Sequence, residues 1–105
     1  MANKSLEIPA EKIEAFELEA LSGSGSAALK LSNHYDAVVL DSTKGTYWAT
    51  ISAENDYSGG MYALGFKLAH KRDEKSRIRA RYWLEKAARN GEPLANEILR
   101  ELDAQ

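Results

Sequence analysis

The side chains best suited to metal or acid–base chemistry in this sequence are two histidines, His34 and His70. Neither lies in an HExxH motif, the helical pattern that brings two histidines to one zinc ion. Two pairs of acids, Asp41 with Glu54 and Asp73 with Glu74, are the other candidates for proton transfer. Helix capping and solvation explain these carboxylates better than catalysis does. The sequence therefore predicts no metal site.

Nucleophilic catalysis and phosphate binding have equally little support. The chain has no cysteine, and it contains neither a GxSxG motif nor a P-loop. Gly23-Ser24-Gly25 precedes a predicted helix and could offer free N–H groups to an anion, but such a tract is also a common turn. We expect a protein that is not an enzyme and that carries no cofactor.

A basic stretch at residues 67–81 leaves a second function open, the binding of nucleic acid or a nucleotide. It contains seven cationic side chains, Lys67, Lys71, Arg72, Lys75, Arg77, Arg79 and Arg81. No aromatic residue lies between them to stack on a base, and the chain as a whole has a net charge of −2. A solvated helix face is the competing interpretation.

Size and composition point to one soluble domain. The chain has 105 residues, of which 44% are hydrophobic and 29% charged, which is ordinary for a globular protein. The absence of cysteine removes any need for an oxidising compartment. The first ten residues include Asn3, Lys4, Ser5 and Glu7 and lack the apolar core of a signal peptide, and no apolar run is long enough to span a membrane. We expect a cytoplasmic protein that does not enter the membrane.

Start and stop signals divide the chain into six helices and predict an all-α fold. The first helix is expected at about Pro9–Leu21, and the turn 22–26 ends in the cap of the second. Residues 38–40 are expected to be an extended connection, and Asp41 to Thr43 to open the third helix. The turn 55–60 precedes the fourth helix, a charged loop at 70–74 precedes the fifth, and Pro93 starts the sixth.

Self-comparison shows a repeated pattern of small residues and leucines. A turn residue, a small residue four positions later and a leucine four after that occur three times: Gly23, Ala27, Leu31; Asp56, Gly60, Leu64; and Gly91, Ala95, Leu99. Trp48 and Trp83 each lie eight residues before a turn residue. The intervals from leucine to tryptophan are 17 and 19 residues. An ungapped shift of 35 residues would instead align Leu29 with Leu64, so the register of the second helix stays open.

These residues resemble the Sel-one-like repeat family, a relative of tetratricopeptide repeats. The second unit carries the resemblance best, in Gly60, Leu64-Gly65, Ala80, Trp83, Lys86-Ala87-Ala88 and Gly91. In the first unit Ser32 replaces a glycine, Gly45 an alanine and Asp56 the turn glycine. The resemblance implies a short α-solenoid of stacked αα-hairpins and a role as an adaptor or scaffold.

The implied organisation is a single helical-repeat domain over residues 1–105. It comprises an N-terminal capping helix at 8–22, repeat one at 23–56, repeat two at 57–91 and a C-terminal capping helix at 92–105. Each hairpin buries its apolar face against the next. The two tryptophans are therefore predicted to belong to the core.

If the first helix of each hairpin lines a concave wall, the residues not needed for packing are candidates for protein binding. They are Leu29, Asn33, Tyr62, Phe66, Glu97 and Glu101. Burial against a neighbouring hairpin and simple surface scatter are the alternative interpretations. The predicted function is non-catalytic protein binding, and a one-to-one inhibitor such as an immunity protein against a bacterial toxin is one version of it. Open repeat faces at both ends also allow a homodimer.

Overall fold

The computed structural model describes residues 4–105 and confirms an all-α fold with six α-helices. A short 3-10 turn at Lys4–Leu6 comes first. The helices are α1 (Ala10–Leu21), α2 (Gly25–His34), α3 (Ser42–Glu54), α4 (Ser58–Ala69), α5 (Glu74–Arg89) and α6 (Leu94–Asp103). The described residues contain no strand, and none of their helices has the length and apolar character needed to cross a bilayer.

Polar side chains cap three of the helix starts, as the sequence predicts. Ser24 Oγ accepts a hydrogen bond from the Ala27 N–H at 3.1 Å at the start of α2. Asp41 caps α3 by accepting from the Lys44 N–H at 3.1 Å, and Asp73 caps α5 by accepting from the Ser76 N–H at 2.9 Å. Hydrogen bonds from the side chain and then the backbone of Ser76 hold the pKa of the Asp73 carboxyl below its ordinary value. Asp41 and Asp73, one acid from each pair considered for catalysis, are thus capping residues.

The three repeated turn residues share one backbone conformation. Gly23, Asp56 and Gly91 follow α1, α3 and α5, and their φ angles are +118°, +60° and +90°. A left-handed residue at this place redirects the chain after a helix. Glycine adopts that conformation without strain, whereas aspartate is one of the few other residues that tolerate it. The sequence pattern therefore corresponds to a repeated geometry.

The expectation of an extended connection at residues 38–40 is wrong. The segment Tyr35–Val39 continues α2 as one turn of π-helix, and Leu40 then takes a left-handed conformation with φ +62°. The Asp41 N–H donates to the Tyr35 carbonyl at 2.7 Å and closes the turn. No strand among the described residues could pair with Val38 and Val39, so their backbone groups form helical hydrogen bonds instead. The fourth helix also begins earlier than expected, at Ser58.

Helices that follow one another in sequence pack together, and the even-numbered helices also contact their even-numbered neighbours. Thus α4 packs against α3 and α5, its neighbours in sequence, and also against α2 and α6, so that α2, α4 and α6 form a row. A row of this kind is what the stacking of αα-hairpins requires. The described chain is compact, with a radius of gyration of 13.6 Å and extents of 44 × 29 × 22 Å.

Two clusters of buried side chains form the core, and α3 contributes to both. The first contains Ile8, Ala20, Ala27, Ala28, Leu31 and Trp48. The second contains Ala49, Ala53, Met61, Leu64, Ala80, Trp83, Leu84, Ala87, Ala95, Ile98 and Leu102. Trp48 is 6% exposed and Trp83 is 9% exposed, so each indole fills one cluster.

Small residues allow equivalent close approaches in the two hairpins. In the first, Ser32 on α2 donates a hydrogen bond from its hydroxyl to the Gly45 carbonyl of α3 at 2.7 Å. In the second, a Cβ on Gly65 of α4 would lie 3.4 Å from the Ala80 carbonyl oxygen of α5. Leu31 and Leu64, which precede Ser32 and Gly65, are both buried, as residues at equivalent positions should be. The structure therefore favours the gapped register, in which Leu31 and Leu64 correspond.

Candidate functional site

A row of three rings lies along one face of α4 and ends at His70, the residue that follows the helix. Tyr62, Phe66 and His70 are spaced four residues apart, which places them on one helix face. The ring centroids of Tyr62 and Phe66 are 6.1 Å apart, and those of Phe66 and His70 are 4.3 Å apart. His70 Nδ1 also hydrogen-bonds to the Phe66 carbonyl at 2.8 Å, with the nitrogen as donor. Phe66 is 40% exposed even so.

A cleft of about 490 Å³ runs beside Phe66, between the end of α4 and the start of α3. We call it the Phe66 cleft. Its lining combines the Phe66 ring, hydroxyl groups from α3, and cationic or imidazole side chains from the end of α4 and the two residues after it: Ser42, Thr43, Thr46, Phe66, Lys67, His70 and Lys71. One wall is fixed, because Lys67 Nζ lies 2.6 Å from the Asp36 carboxylate of the π turn. The cleft thus offers an apolar ring, hydrogen-bond donors and positive charge within one concavity.

The predicted residues on α2 lie in less open surroundings. Leu29 is half-buried against α4, since a Cβ added at Gly59 would lie 3.1 Å from Leu29 Cδ2. Asn33 is also half-buried and lines a separate cleft of about 340 Å³ between α2 and the segment that leads into α1. In that cleft Lys30 Nζ lies 5.6 Å from the centroid of the Phe16 ring. The α2 candidates are therefore less exposed than Phe66 and resemble the half-buried Tyr62.

The predicted acids on α6 have two different environments. Glu97 is exposed on the surface. Glu101 instead lines a cleft with His70 and three cationic side chains, those of Lys71, Arg72 and Arg77. His70 and Lys71 also line the Phe66 cleft. His70 and Lys71 therefore connect the cleft beside Glu101 to the cleft beside Phe66. Neither was among the residues predicted to bind a protein.

His34 has a structural position. It is 8% exposed, and its Nδ1 accepts a hydrogen bond from the Ile8 N–H at 3.0 Å. This bond ties the segment before α1 to the end of α2. In the part of the chain that the structure describes, no group of three or more histidines and acids is placed to hold a metal ion.

Sequence reasoning named Tyr62 and Phe66 as candidates but not the third ring or the opposite wall of the cleft. The spacing of four residues from Phe66 to His70 was a usable signal for the ring. Nothing local in the sequence pointed to Ser42, Thr43 and Thr46. Their position depends on the packing of α3 against α4, which no periodicity encodes.

No family model, curated protein or solved structure matches this chain. The resemblance to Sel-one-like repeats therefore stays a prediction from residue spacing. The role of the surface has to be inferred from its own residues.

Proposed function

We propose that this chain is a non-catalytic protein-binding module that acts in the cytoplasm, and that its partner docks on the outer face of α4. The observation that carries the proposal is the aromatic pair on α4, in which Tyr62 is half-buried and Phe66 is exposed beside the Phe66 cleft. Aromatic side chains next to a concavity are the residue type that most often anchors protein interfaces. Their rings are already ordered by stacking along the helix, so little side-chain entropy is lost on binding.

Charge around the aromatic pair supports a partner with an acidic rim. Lys71 lines the same cleft as Phe66, and it is exposed to solvent. Positive charge at the edge of an apolar anchor accelerates encounter with an acidic surface and fixes the orientation of the complex. A one-to-one inhibitor, such as an immunity protein against a bacterial toxin, would benefit from both effects.

The test is affinity capture from the cells that make the protein, followed by mass spectrometry. Wild-type bait is expected to retain a protein in stoichiometric amount, and the variant Phe66→Ala is expected to weaken its binding by about tenfold or more. Tyr82→Ala is the matched control. Tyr82 is similarly exposed at 44%, but it lies on α5 away from the cleft residues.

Two outcomes would contradict the proposal. One is that no stoichiometric protein is recovered with the wild-type bait. The other is that Tyr82→Ala weakens capture as much as Phe66→Ala does, because the α4 face would then have no special role. Circular dichroism of each variant would exclude unfolding as the cause.

Binding of a long nucleic acid is the weaker alternative, because the basic stretch 67–81 does not form one continuous surface. Lys67 and Arg81 make salt bridges with Asp36 and Asp103, each at 2.6 Å. The Arg79 guanidinium lies 4.5 Å from the Tyr82 ring centroid. Only part of the stretch is left to meet a phosphate backbone.

A further inference from the structure

Three cationic side chains of the basic stretch line one cleft. Lys71, Arg72 and Arg77 line a cleft of about 480 Å³ formed by the end of α4, the start of α5 and the end of α6. We call it the basic cleft. None of the three forms a salt bridge with any residue in the range 4–105. A volume of this size suits a small ligand.

Arg77 is held in position beside the basic cleft. Its side chain is half-buried, and Nη2 donates to the Leu102 carbonyl of α6 at 3.4 Å. A guanidinium has five N–H donors, so this bond leaves others free for a ligand. Arg72 lines the same cleft and also an adjoining one with Arg77 and Arg81. Two arginines are therefore placed to form charge-assisted hydrogen bonds with one anion.

Helix α5 begins one turn earlier than α3 relative to its tryptophan, and Arg77 directly follows that extra turn. Helix α5 has 16 residues and α3 has 13. Both helices end six residues after their tryptophan, so the extra turn lies at the start of α5. The packing shared by the two hairpins does not require it.

We propose that the basic cleft binds a small multivalent phosphate anion. The fork of N–H donors on arginine matches the oxygens of a phosphate group, and Lys71 adds a further positive charge. The single acid in the lining, Glu101, leaves an excess of positive charge. A small ligand fits better than a long nucleic acid, because Arg79 is stacked on Tyr82, Arg81 is paired with Asp103, and the chain has a net charge of −2. This site does not depend on the proposed protein-binding role.

Titration of the isotope-labelled full chain with sodium pyrophosphate, at constant ionic strength, tests the proposal by NMR. Saturable shifts are expected in the backbone amides of residues 69–72, 77 and 98–105. Arg72→Ala and Arg77→Ala are each expected to raise the Kd by about tenfold, the loss expected for one charge-assisted hydrogen bond. Arg72 is in an exposed loop, so its substitution tests the cleft without disturbing the core.

Two variants make the test specific to the cleft. Lys75→Ala removes one positive charge from an exposed position outside the basic cleft, and it is expected to change the Kd by less than about twofold. Glu101→Gln removes the opposing charge from the lining, and it is expected to tighten binding.

The proposal is overturned if pyrophosphate causes no saturable shift, or if Lys75→Ala weakens binding as much as Arg72→Ala. Citrate that binds as tightly as pyrophosphate would overturn the assignment to phosphate. A short single-stranded DNA that binds more tightly, with shifts that extend to Lys75 and Arg79, would replace the small-ligand site by a nucleic-acid surface.

Discussion

At the scale of single residues, the two tryptophans show how the repeat separates structural from exposed side chains. Trp48 and Trp83 are buried, whereas the tyrosines that precede them, Tyr47 and Tyr82, are 53% and 44% exposed. Each tyrosine meets its tryptophan edge-on, with ring centroids 4.9 Å apart in the first hairpin and 5.0 Å apart in the second. One geometry thus occurs twice, and its indole belongs to the core each time.

Replacement of Trp83 by alanine is expected to lower the free energy of unfolding by about 3–5 kcal/mol, because the buried indole would leave a large cavity. Chemical denaturation followed by circular dichroism measures this change. Tyr82→Ala is the control, and its expected cost is on the order of 1 kcal/mol, since an exposed ring loses mainly the edge-on contact. Equal losses in the two variants would contradict the core position of Trp83.

At the scale of helices, glycine decides how closely α4 approaches its neighbours. A Cβ on Gly65 would lie 2.6 Å from Leu84 Cγ, inside the van der Waals contact of a buried side chain. A Cβ on Gly59 would meet the flexible ends of Leu29 and Tyr57, each at 3.1 Å. Both glycines are in α4, so they form a matched pair.

Gly65→Ala is therefore expected to destabilise the protein by about 1–3 kcal/mol, the usual cost of overpacking a core. Gly59→Ala is expected to change the stability by less than about 1 kcal/mol, since the gain in helix propensity offsets a small adjustment of Leu29. Thermal unfolding of the two variants under the same conditions makes the comparison. A larger loss from Gly59→Ala than from Gly65→Ala would refute the close approach of α4 and α5.

Most helix boundaries were predictable because their causes are local. Caps such as Asp41 and Asp73 act within three residues, and the turn residue Gly91 acts on the helix that it follows. The π turn at Tyr35–Val39 was not predictable from local preference. It depends on the contact of Asp36 with Lys67 of α4 and on the space left by Gly45, against which the Asp36 carboxylate packs.

The candidate site also has one part that local sequence predicts and one part that depends on tertiary packing. Helical spacing alone put Tyr62 and Phe66 on one face of α4, where Phe66 is exposed and Tyr62 is half-buried. The cleft beside them joins residues from two helices, so only tertiary packing reveals it. Glu101 illustrates the limit, because its sequence position suggested an open surface and the structure places it among cations.

At the scale of the whole molecule, α3 couples the two halves of the core. Trp48 belongs to the first buried cluster, whereas Ala49 and Ala53 on the same helix belong to the second. Loss of either cluster would expose one side of α3. The described domain is therefore expected to unfold as a single cooperative unit, as most small domains do.

The two tryptophans allow a direct test of this cooperativity, because each reports on a different cluster. In Trp83→Phe the fluorescence comes from Trp48, and in Trp48→Phe it comes from Trp83. Within each variant, the urea midpoint from fluorescence is expected to coincide with the midpoint from circular dichroism. A fluorescence transition that precedes the loss of helix in either variant would show that the halves unfold separately.

The π turn also has a consequence for how the lengths of such hairpins vary. Asp41 lies 10 residues after Leu31, whereas Asp73 lies nine residues after Leu64. A π turn holds one residue more than an α turn, so the first hairpin has accommodated an inserted residue inside helical backbone. The interval from the capping aspartate to the tryptophan differs in the opposite sense, because it is seven residues from Asp41 to Trp48 and 10 residues from Asp73 to Trp83. The two-residue difference between the leucine-to-tryptophan intervals is therefore a sum of two differences: the first hairpin has one residue more before its capping aspartate and one helical turn fewer after it. An alignment that allows gaps only in loops would miss both differences.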